Sequence, residues 1–261
     1  MLDNIMCVLR QNASNINIVA DLFAGSGVVA SCFKSAGFKV ISNDIMYFSY
    51  VLNRGSICLN KKPSFDNLKI KNPIHYLNNL ELRDTGFLIE DCFIFRNYSP
   101  NEKCERMYFQ SKNAVKIDII RLTIEEWRNK NLINDDEYFY LLASLISAVP
   151  YVSNITGVYA AYLKTWDVRT YNELVLKDVK IIESQEQHSA FNIDANELAR
   201  NISADLVYID PPYNERQYVP NYHVLETVAR YDSPAITGET IPSKNQSIAV
   251  KTRLKRLSTI Y

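Results

Sequence analysis

One stretch decides the fold of this chain: Asp205-Leu-Val-Tyr-Ile-Asp-Pro-Pro-Tyr-Asn214. Its β-branched and aromatic residues predict a short buried strand. Proline has no amide hydrogen, so the two prolines that follow Asp210 end the strand there. A carboxylate, prolyl carbonyls and an aromatic ring therefore stand together at the carboxyl end of a strand, which is where open α/β sheets bind ligands. Rigid acceptors beside a ring suit a planar ligand that carries an amino group.

Aspartate-proline turns are common, and an ordinary strand-ending turn explains this stretch on its own. A second stretch, Ile18-Val-Ala-Asp-Leu-Phe-Ala-Gly-Ser-Gly27, favours a ligand-binding site over an ordinary turn. It combines an apolar run, two glycines and a helical pattern over residues 28–36 that Gly37 closes. Glycines between a strand and a helix allow the backbone to approach a ligand closely. The third glycine of the dinucleotide fingerprint and the Walker lysine are both missing. This pattern favours a nucleoside ligand without a pyrophosphate.

Size and composition indicate an ordinary globular protein. The 261 residues can bury one sizeable core or two small ones. No apolar run approaches membrane-spanning length and no signal peptide opens the chain. The cysteine usage described next favours a reducing cytoplasm. Five scattered cysteines without a Cys-x-x-Cys pair indicate neither a disulfide framework nor a metal site. The net charge is zero, which weighs mildly against nucleic-acid binding, although DNA requires only a locally basic surface.

The order of Phe23-Ala-Gly-Ser-Gly27 and Asp210-Pro-Pro-Tyr213 resembles the Dam-like, S-adenosylmethionine-dependent DNA adenine methyltransferases. These enzymes modify the exocyclic amino nitrogen. The resemblance covers roughly residues 15–234 and includes four further runs, at residues 40–44, 97–109, 152–159 and 221–226. It implies an α/β fold with a Rossmann-like methyltransferase sheet, S-adenosylmethionine as cofactor and double-stranded DNA as substrate, within a restriction-modification system.

The resemblance implies a catalytic corner made of Asp210, Pro211, Pro212 and Tyr213. The carboxylate of Asp210 and the carbonyl of Pro211 would accept hydrogen bonds from the adenine amino group. The base must leave the duplex to reach them, and Tyr213 would then stack on it. No metal is needed for this chemistry.

The resemblance also implies a cofactor site around the glycine loop, made of Asp21, Phe23, Ala24, Gly25 and Gly27. Asp21, at the end of the first strand, would accept from the methionyl ammonium group. Phe23 would pack against the cofactor.

Two further aspartates have alternative interpretations. Asp44 follows a strand predicted at residues 39–43 and would accept both ribose hydroxyls; its alternative role is the N-cap of the next helix. Asp194 would meet the adenine amino group of the cofactor. Equally, it would cap a helix predicted at residues 195–200, with Glu197 in a capping box.

The region from residue 55 to 165 separates the second strand from the third, which is predicted to begin near residues 179–182. Isoleucines and a tryptophan at helical spacing and a later apolar run predict two helices in it. We therefore predict a discontinuous catalytic, cofactor-binding domain at residues 1–54 and 166–261. The inserted, largely helical region at 55–165 would recognise DNA, the alternative being a small helical subdomain with ordinary solvated lysines.

Basic and polar residues near these elements are candidates for DNA contact. Arg216 and Gln217 follow the proline corner closely, and Lys164 lies in an aromatic-rich segment of the inserted region. Such side chains bind phosphates and base edges. His223 lies within an apolar helical pattern, so a structural role is expected for it.

The chain begins too late to contain a segment that precedes the glycine loop in the resembled enzymes, and it stops before the strands that complete their seven-stranded sheet. From this we expect a chain shortened at both ends, for which a second chain and a cognate restriction endonuclease are the candidate partners. The alternatives are a truncated non-catalytic subunit and a methyltransferase of RNA or of protein amide groups.

Overall fold

A computed structural model describes residues 2–12, 15–211, 218–234, 236–237 and 241–242. Its helices are Leu2–Asn12 (α1), Val28–Ser35 (α2), Tyr47–Ser56 (α3), Pro73–Asn79 (α4), Phe93–Tyr98 (α5), Ser111–Asn129 (α6), Asp135–Ala148 (α7), Ala195–Asn201 (α8) and Tyr218–Arg230 (α9). Its strands are Ile18–Asp21 (β1), Lys39–Asn43 (β2), Ser189–Phe191 (β3), Leu206–Tyr208 (β4), Ile236–Thr237 (β5) and Ile241–Pro242 (β6). Within these ranges, no helix is both long and apolar enough to span a bilayer.

The first four strands form a parallel sheet in the order β3-β2-β1-β4. The chain proceeds from β1 to β2 and β3 on one side and then returns to add β4 on the other side. The direction of winding thus switches between β1 and β4. In open α/β sheets such a switch leaves a crevice outside the carboxyl ends of the two strands, and ligands bind there. The predicted Rossmann-like α/β fold is confirmed.

Helices cover both faces of the sheet at β1 and β2. In β4, Val207 is 45% exposed, so the fully buried strand predicted there is wrong. Side chains alternate between the two faces of a strand, so neighbouring residues of β1 face different layers. Val19 and Val40 pack with α1 and α2 on one face. Ala20 and Ile41 pack with Leu198 of α8 on the other face. The central strands of the sheet thus lie between two helical layers.

Helices α6 and α7 share one apolar core with α3, which follows β2, and with α9, which follows β4. Val51 of α3 and Val228 of α9 are fully buried in the same apolar cluster as Ile120 of α6 and Leu142 of α7. The region between α3 and β3 is largely helical, as predicted, and packs directly against α3 and α9. The domain boundaries at residues 54 and 165 stay a prediction.

The predicted start of the third strand near residues 179–182 is wrong, since β3 occupies Ser189–Phe191. Val179 and Ile181 are partly buried against the helical core, so the apolar residues that suggested a strand face helices. The preceding extended backbone is also bound by helix side chains, because Asn78 Oδ1 accepts from the amide of Leu176 at 2.8 Å.

Gly55 sits where α3 and α7 approach closely, and it generates a stability prediction. A Cβ atom at this position would lie 2.4 Å from the carbonyl oxygen of Phe139 and 2.6 Å from Cβ of Ala143. We expect Gly55→Ala to lower the free energy of unfolding by about 1–3 kcal/mol, as overpacking does. Urea unfolding measures this. Gly86→Ala is the matched control, because a Cβ there meets no atom within 4 Å; equal losses in both variants would contradict the close contact.

Candidate active site at the carboxyl edge of the sheet

Three aspartates converge at the ends of three neighbouring strands. Asp21 closes β1 and pairs in register with Ser42 of β2 and Tyr208 of β4. Asp44 and Asp210 each come two residues after these partners, so they flank Asp21 on its two sides. The glycine turn after β1 and the proline corner after β4 therefore open onto the same edge of the sheet, at the switch point.

Asp21 is the most buried of the three, with 1% of its surface exposed. Its Oδ1 accepts from the amide of Phe23 at 3.3 Å, while Oδ2 is buried and meets no hydrogen-bond donor among the described residues. Burial, with a smaller contribution from the charges of Asp44 and Asp210, raises the pKa of this carboxyl to about 7. A buried acceptor without a donor is costly. A cationic ligand group would satisfy this oxygen and favour its charged form.

The glycine turn adopts the left-handed conformation that favours glycine. Gly25 has φ 52° and Gly27 has φ 80°. A Cβ at Gly27 would lie 2.9 Å from Oδ1 of Asn53, whereas one at Gly25 would meet no atom within 4 Å. The turn thus packs against α3 at Gly27 and leaves the backbone open at Gly25. Ala24, which lies between Phe23 and Gly25 in the sequence, is buried.

Asp44 connects the glycine turn to the start of α3. Its Oδ2 accepts from the amide of Gly25 at 2.9 Å, and its Oδ1 accepts from the amide of Met46 at 2.8 Å. The N-cap of α3 is Met46, so the hypothesis that Asp44 occupies that position is wrong. Burial raises the pKa of Asp44 to about 6, and the charge of Glu226 contributes to this rise. Since a carboxylate has about four lone-pair sites, these two bonds leave it capacity for a ligand.

Three asparagines that the sequence analysis did not single out hold the loops of this edge together. Asn43 donates to the carbonyl of Leu22 at 3.1 Å and Asn53 to that of Gly25 at 3.1 Å. Asn192 donates to the carbonyl of Asp44 at 2.8 Å. The sequence gives one indication of these asparagine hydrogen bonds: Asn43 is a polar residue at the end of a predicted strand.

Asp194 is exposed and caps α8. Its Oδ1 accepts from the amides of Asn196 at 2.8 Å and Glu197 at 3.2 Å, which confirms the N-cap hypothesis. The preceding residue, Ile193, donates its amide to Oδ1 of Asn43 at 3.2 Å. The loop of Asp194 is therefore attached to the same edge as Asp44, and a further role toward a ligand stays a prediction.

Asp210 is exposed at the end of the β4 segment and Pro211 beside it is half-buried. The hydroxyl of Tyr208 lies 3.5 Å from Oδ2 of Asp210, a long and weak contact. Asp205, at the start of the segment, accepts from the amides of two residues that enter β1, Asn17 and Ile18. The segment is thus anchored to β1 at its beginning, and its acidic end is open.

The remaining predicted residues have different outcomes. Pro212, Tyr213, Arg216 and Gln217 lie outside the described residues. Phe23 is half-buried and packs beside Phe191 and Ile193. Lys164 is exposed, with its ammonium 5.3 Å from the ring centre of Tyr162 rather than at the strand-end aspartates. His223 is fully buried, and burial lowers its pKa to about 4, in line with the expected structural role.

A surface groove of about 790 Å³ lies elsewhere, along α4. It is lined by Ile70, Lys71, Asn72, His75, Tyr76, Asn79, Leu80 and Asp84. None of these residues belongs to the strand-end site. The chemistry of the aspartate edge, rather than the size of this groove, identifies the candidate site.

Comparison with known proteins points to one family. Residues 1–259 match the family model described as D12 class N6 adenine-specific DNA methyltransferase. The chain is 47% identical over 244 residues to type II methyltransferase M.FokI of Planomicrobium okeanokoites, which covers 92% of this chain and 37% of the relative. It is 49% identical over 226 residues to modification methylase StsI of Streptococcus sanguinis, covering 85% and 34%.

A shorter relative, type II methyltransferase M.NlaIII of Neisseria lactamica, is 38% identical over 225 residues, covering 85% of this chain and 64% of the relative. The chain spans little more than a third of the length of the first two relatives. No solved structure matches the chain.

The buried carboxyl of Asp21 yields a prediction about stability and pH. Its folded-state pKa of about 7 lies above the ordinary 3.8, so it stabilises the fold while protonated, and this contribution is lost as the pH rises through 7. We expect Asp21→Asn, which removes the charge, to raise the free energy of unfolding at pH 8 by about 1–3 kcal/mol and to change it little at pH 4.

Urea unfolding at the two pH values measures this difference. Asp205→Asn is the control with the opposite sign, because its pKa is lowered by two backbone amides and its charged form stabilises the fold at pH 8. Destabilisation of both variants at pH 8 would contradict the strain attributed to Asp21.

Proposed function

The chain belongs to the D12 class of N6 adenine-specific DNA methyltransferases, and we propose from this premise that it transfers a methyl group from S-adenosylmethionine to the exocyclic amino nitrogen of adenine in double-stranded DNA. One observation carries the proposal: the glycine turn and the Asp210 corner open onto a shared edge at the switch between β1 and β4. Such an arrangement can hold a methyl donor and an amino acceptor in one crevice.

The corner after β4 supplies hydrogen-bond acceptors that can activate the adenine amino group. The lone pair of an adenine amino nitrogen is delocalised into the ring, so the nitrogen is a poor nucleophile until it becomes pyramidal. That change places partial positive charge on nitrogen. The carboxylate of Asp210 and the carbonyl of Pro211 accept from its hydrogens and stabilise the pyramidal state more than the planar one.

The residues at the edge fit S-adenosylmethionine, which when bound supplies an electrophilic methyl group on its sulfonium. The unpartnered Oδ2 of Asp21 suits the methionyl ammonium, and the open backbone at Gly25 allows the close approach of a ligand. Asp44 uses its remaining lone pairs for the ribose hydroxyls. Phe23 covers the cofactor, and the exposed carboxylate of Asp194 faces its adenine.

A stacked adenine is out of reach of this edge, so the base must be flipped. Tyr213 stacks on the flipped base and replaces part of the stacking energy lost from the duplex. Arg216, Gln217 and Lys164 contact DNA, and the helical region at 55–165 recognises the site. The relatives are named type II methyltransferases and a modification methylase. This supports a role in a restriction-modification system, beside a cognate endonuclease.

Sequencing of modified bases in DNA from a methylation-deficient host that expresses this chain tests the function directly. We expect N6-methyladenine at one recurring short sequence. Methylated cytosine, or unmodified DNA together with labelled RNA or protein, would overturn the proposal.

The acceptor role of Asp210 gives a first prediction about activity. We expect Asp210→Ala to reduce the methylation rate by about a hundredfold to a thousandfold, because removing a preorganised charge-stabilising group costs about 10²–10³ in kcat. Cofactor affinity should change less than threefold. Labelled-methyl transfer and calorimetry measure the two quantities. Asp232→Ala, at an exposed position beyond α9, is the control and should keep the parent rate; a similar rate for Asp210→Ala would contradict the acceptor role.

The stacking role of Tyr213 gives a second prediction about activity. Stacking of a base on an aromatic ring contributes roughly 1–3 kcal/mol, so Tyr213→Ala should lower kcat/KM for DNA by about tenfold to a hundredfold. Tyr213→Phe keeps the ring and should keep most of the activity. If both variants lose activity equally, the hydroxyl rather than the ring is responsible.

A further inference from the structure

Glu226 of α9 has a buried carboxylate directed at the beginning of α3. The amides of Tyr47 and Phe48 donate to its two oxygens at 3.1 and 3.0 Å. Only 1% of the Glu226 surface is exposed, and Nε of Arg230 donates to Oε1 at 2.6 Å. The guanidinium of Arg230 also lies over the Tyr47 ring, 4.8 Å from its centre. The first turn of α3 is thus held by one side chain of a distant helix.

The same turn is held from its other side by Asp44. Met46 donates its amide to Oδ1 of Asp44, whose Oδ2 accepts from Gly25. Residues 44–48 are therefore a short continuous segment with the glycine turn at one end and Glu226 at the other. Helix α9, which carries Glu226, begins at Tyr218, seven residues after Pro211. Glu226 accordingly links the helix that follows the acceptor corner to the segment that holds the glycine turn.

We propose that Glu226 is a positioning residue that fixes the cofactor half of the active site, Asp44 and the Gly25 turn, against α9. This inference rests on the proposed function for its ligand, whereas the contacts that carry it are independent of any ligand. Removing the carboxylate leaves two amides of α3 without their acceptor. The start of α3 is then free to move relative to α9, and Asp44 moves with it.

The charges around Asp44 give the proposal a signature in pH. Asp44 faces the carboxylates of Asp21 and Glu226, and Glu226 itself faces Arg230 and the Tyr47 ring. Because a neighbouring negative charge raises the pKa of a carboxyl, removing the Glu226 charge lowers that of Asp44. Protonation of Asp44, which weakens its hold on the Gly25 amide, then requires a lower pH. The cations on this side of α3 that act on Tyr47 are Arg121, Arg128 and Arg230.

Asp118 provides a matched control within the same chain. It is fully buried, and its two oxygens accept from the amides of Ile94 and Phe95, both at 2.8 Å, in the first turn of α5. Like Glu226, Asp118 satisfies two amides at the start of a helix, and none of the proposed site residues lies in that helix. It differs in accepting from the hydroxyl of Tyr231, where Glu226 pairs with Arg230. Asp118→Asn therefore reproduces the structural loss of Glu226→Gln without the link to the cofactor half.

The experiment measures the binding of S-adenosylhomocysteine by calorimetry between pH 5 and 8 for the parent chain, Glu226→Gln and Asp118→Asn. We expect Glu226→Gln to weaken binding by about tenfold to a hundredfold at pH 7.5. The midpoint pH below which binding is lost should also fall. Asp118→Asn should keep the parent affinity and midpoint. Equal affinity and midpoint for Glu226→Gln and the parent would overturn the proposal.

Hydrogen exchange without ligand provides a second measurement. The amides of Gly25 and Met46 should exchange faster in Glu226→Gln than in Asp118→Asn, and equal rates would overturn the positioning role. If Glu226→Gln does not fold, Arg230→Gln replaces it: the uncompensated Glu226 charge should move the binding midpoint upward, and an unchanged midpoint counts against the proposal. A parent chain that does not bind S-adenosylhomocysteine or methylate DNA contradicts the proposed function instead, and leaves the exchange result to decide the positioning role.

Discussion

The pairing of β1 with both of its neighbours is the constraint on which the rest of the structure depends. Parallel pairing in register brings the carboxyl ends of β2, β1 and β4 to one edge, although residues 44 and 210 are far apart in sequence. The edge carries three carboxylates, and like charges in a partly buried crevice repel each other. Helices cover β1 and β2 on both faces, and the parallel ladder from β1 to β4 keeps the three strand ends on this edge.

Burial explains why the acidic edge is suited to a ligand. Asp21 keeps one oxygen without a donor and its pKa rises to about 7, which is an energetic cost that packing elsewhere must offset. Perturbed carboxyls of this kind are characteristic of functional sites. The edge is thus less stable alone than it would be with a cationic, hydroxyl-bearing ligand, and its stability and its binding capacity have the same origin.

Local sequence patterns predicted the elements of this edge well, because turns and caps are local interactions. The glycine turn, β2, the helix after Gly27 and the cap at Asp194 all follow from residue types within a few positions. Long-range contacts were harder to predict from the sequence. The apolar residues near 179–182 indicate burial without indicating the partner, so a segment that packs on helices was assigned to the sheet. Likewise, the position of Asp44 before α3 fits a cap as well as a link to Gly25, and only the tertiary arrangement distinguishes them.

Glu226 shows most clearly why the site could not be read completely from sequence. A glutamate within an apolar helix has several interpretations, and its partners, the amides of residues 47 and 48, carry no side-chain signal. Backbone amides at the start of a helix lack intrahelical acceptors, so any buried helix start needs an acceptor from another part of the chain. In this fold that acceptor comes from the helix that follows the proline corner. The need to satisfy two amides therefore fixes the start of α3, and with it Asp44 and the Gly25 turn, against α9.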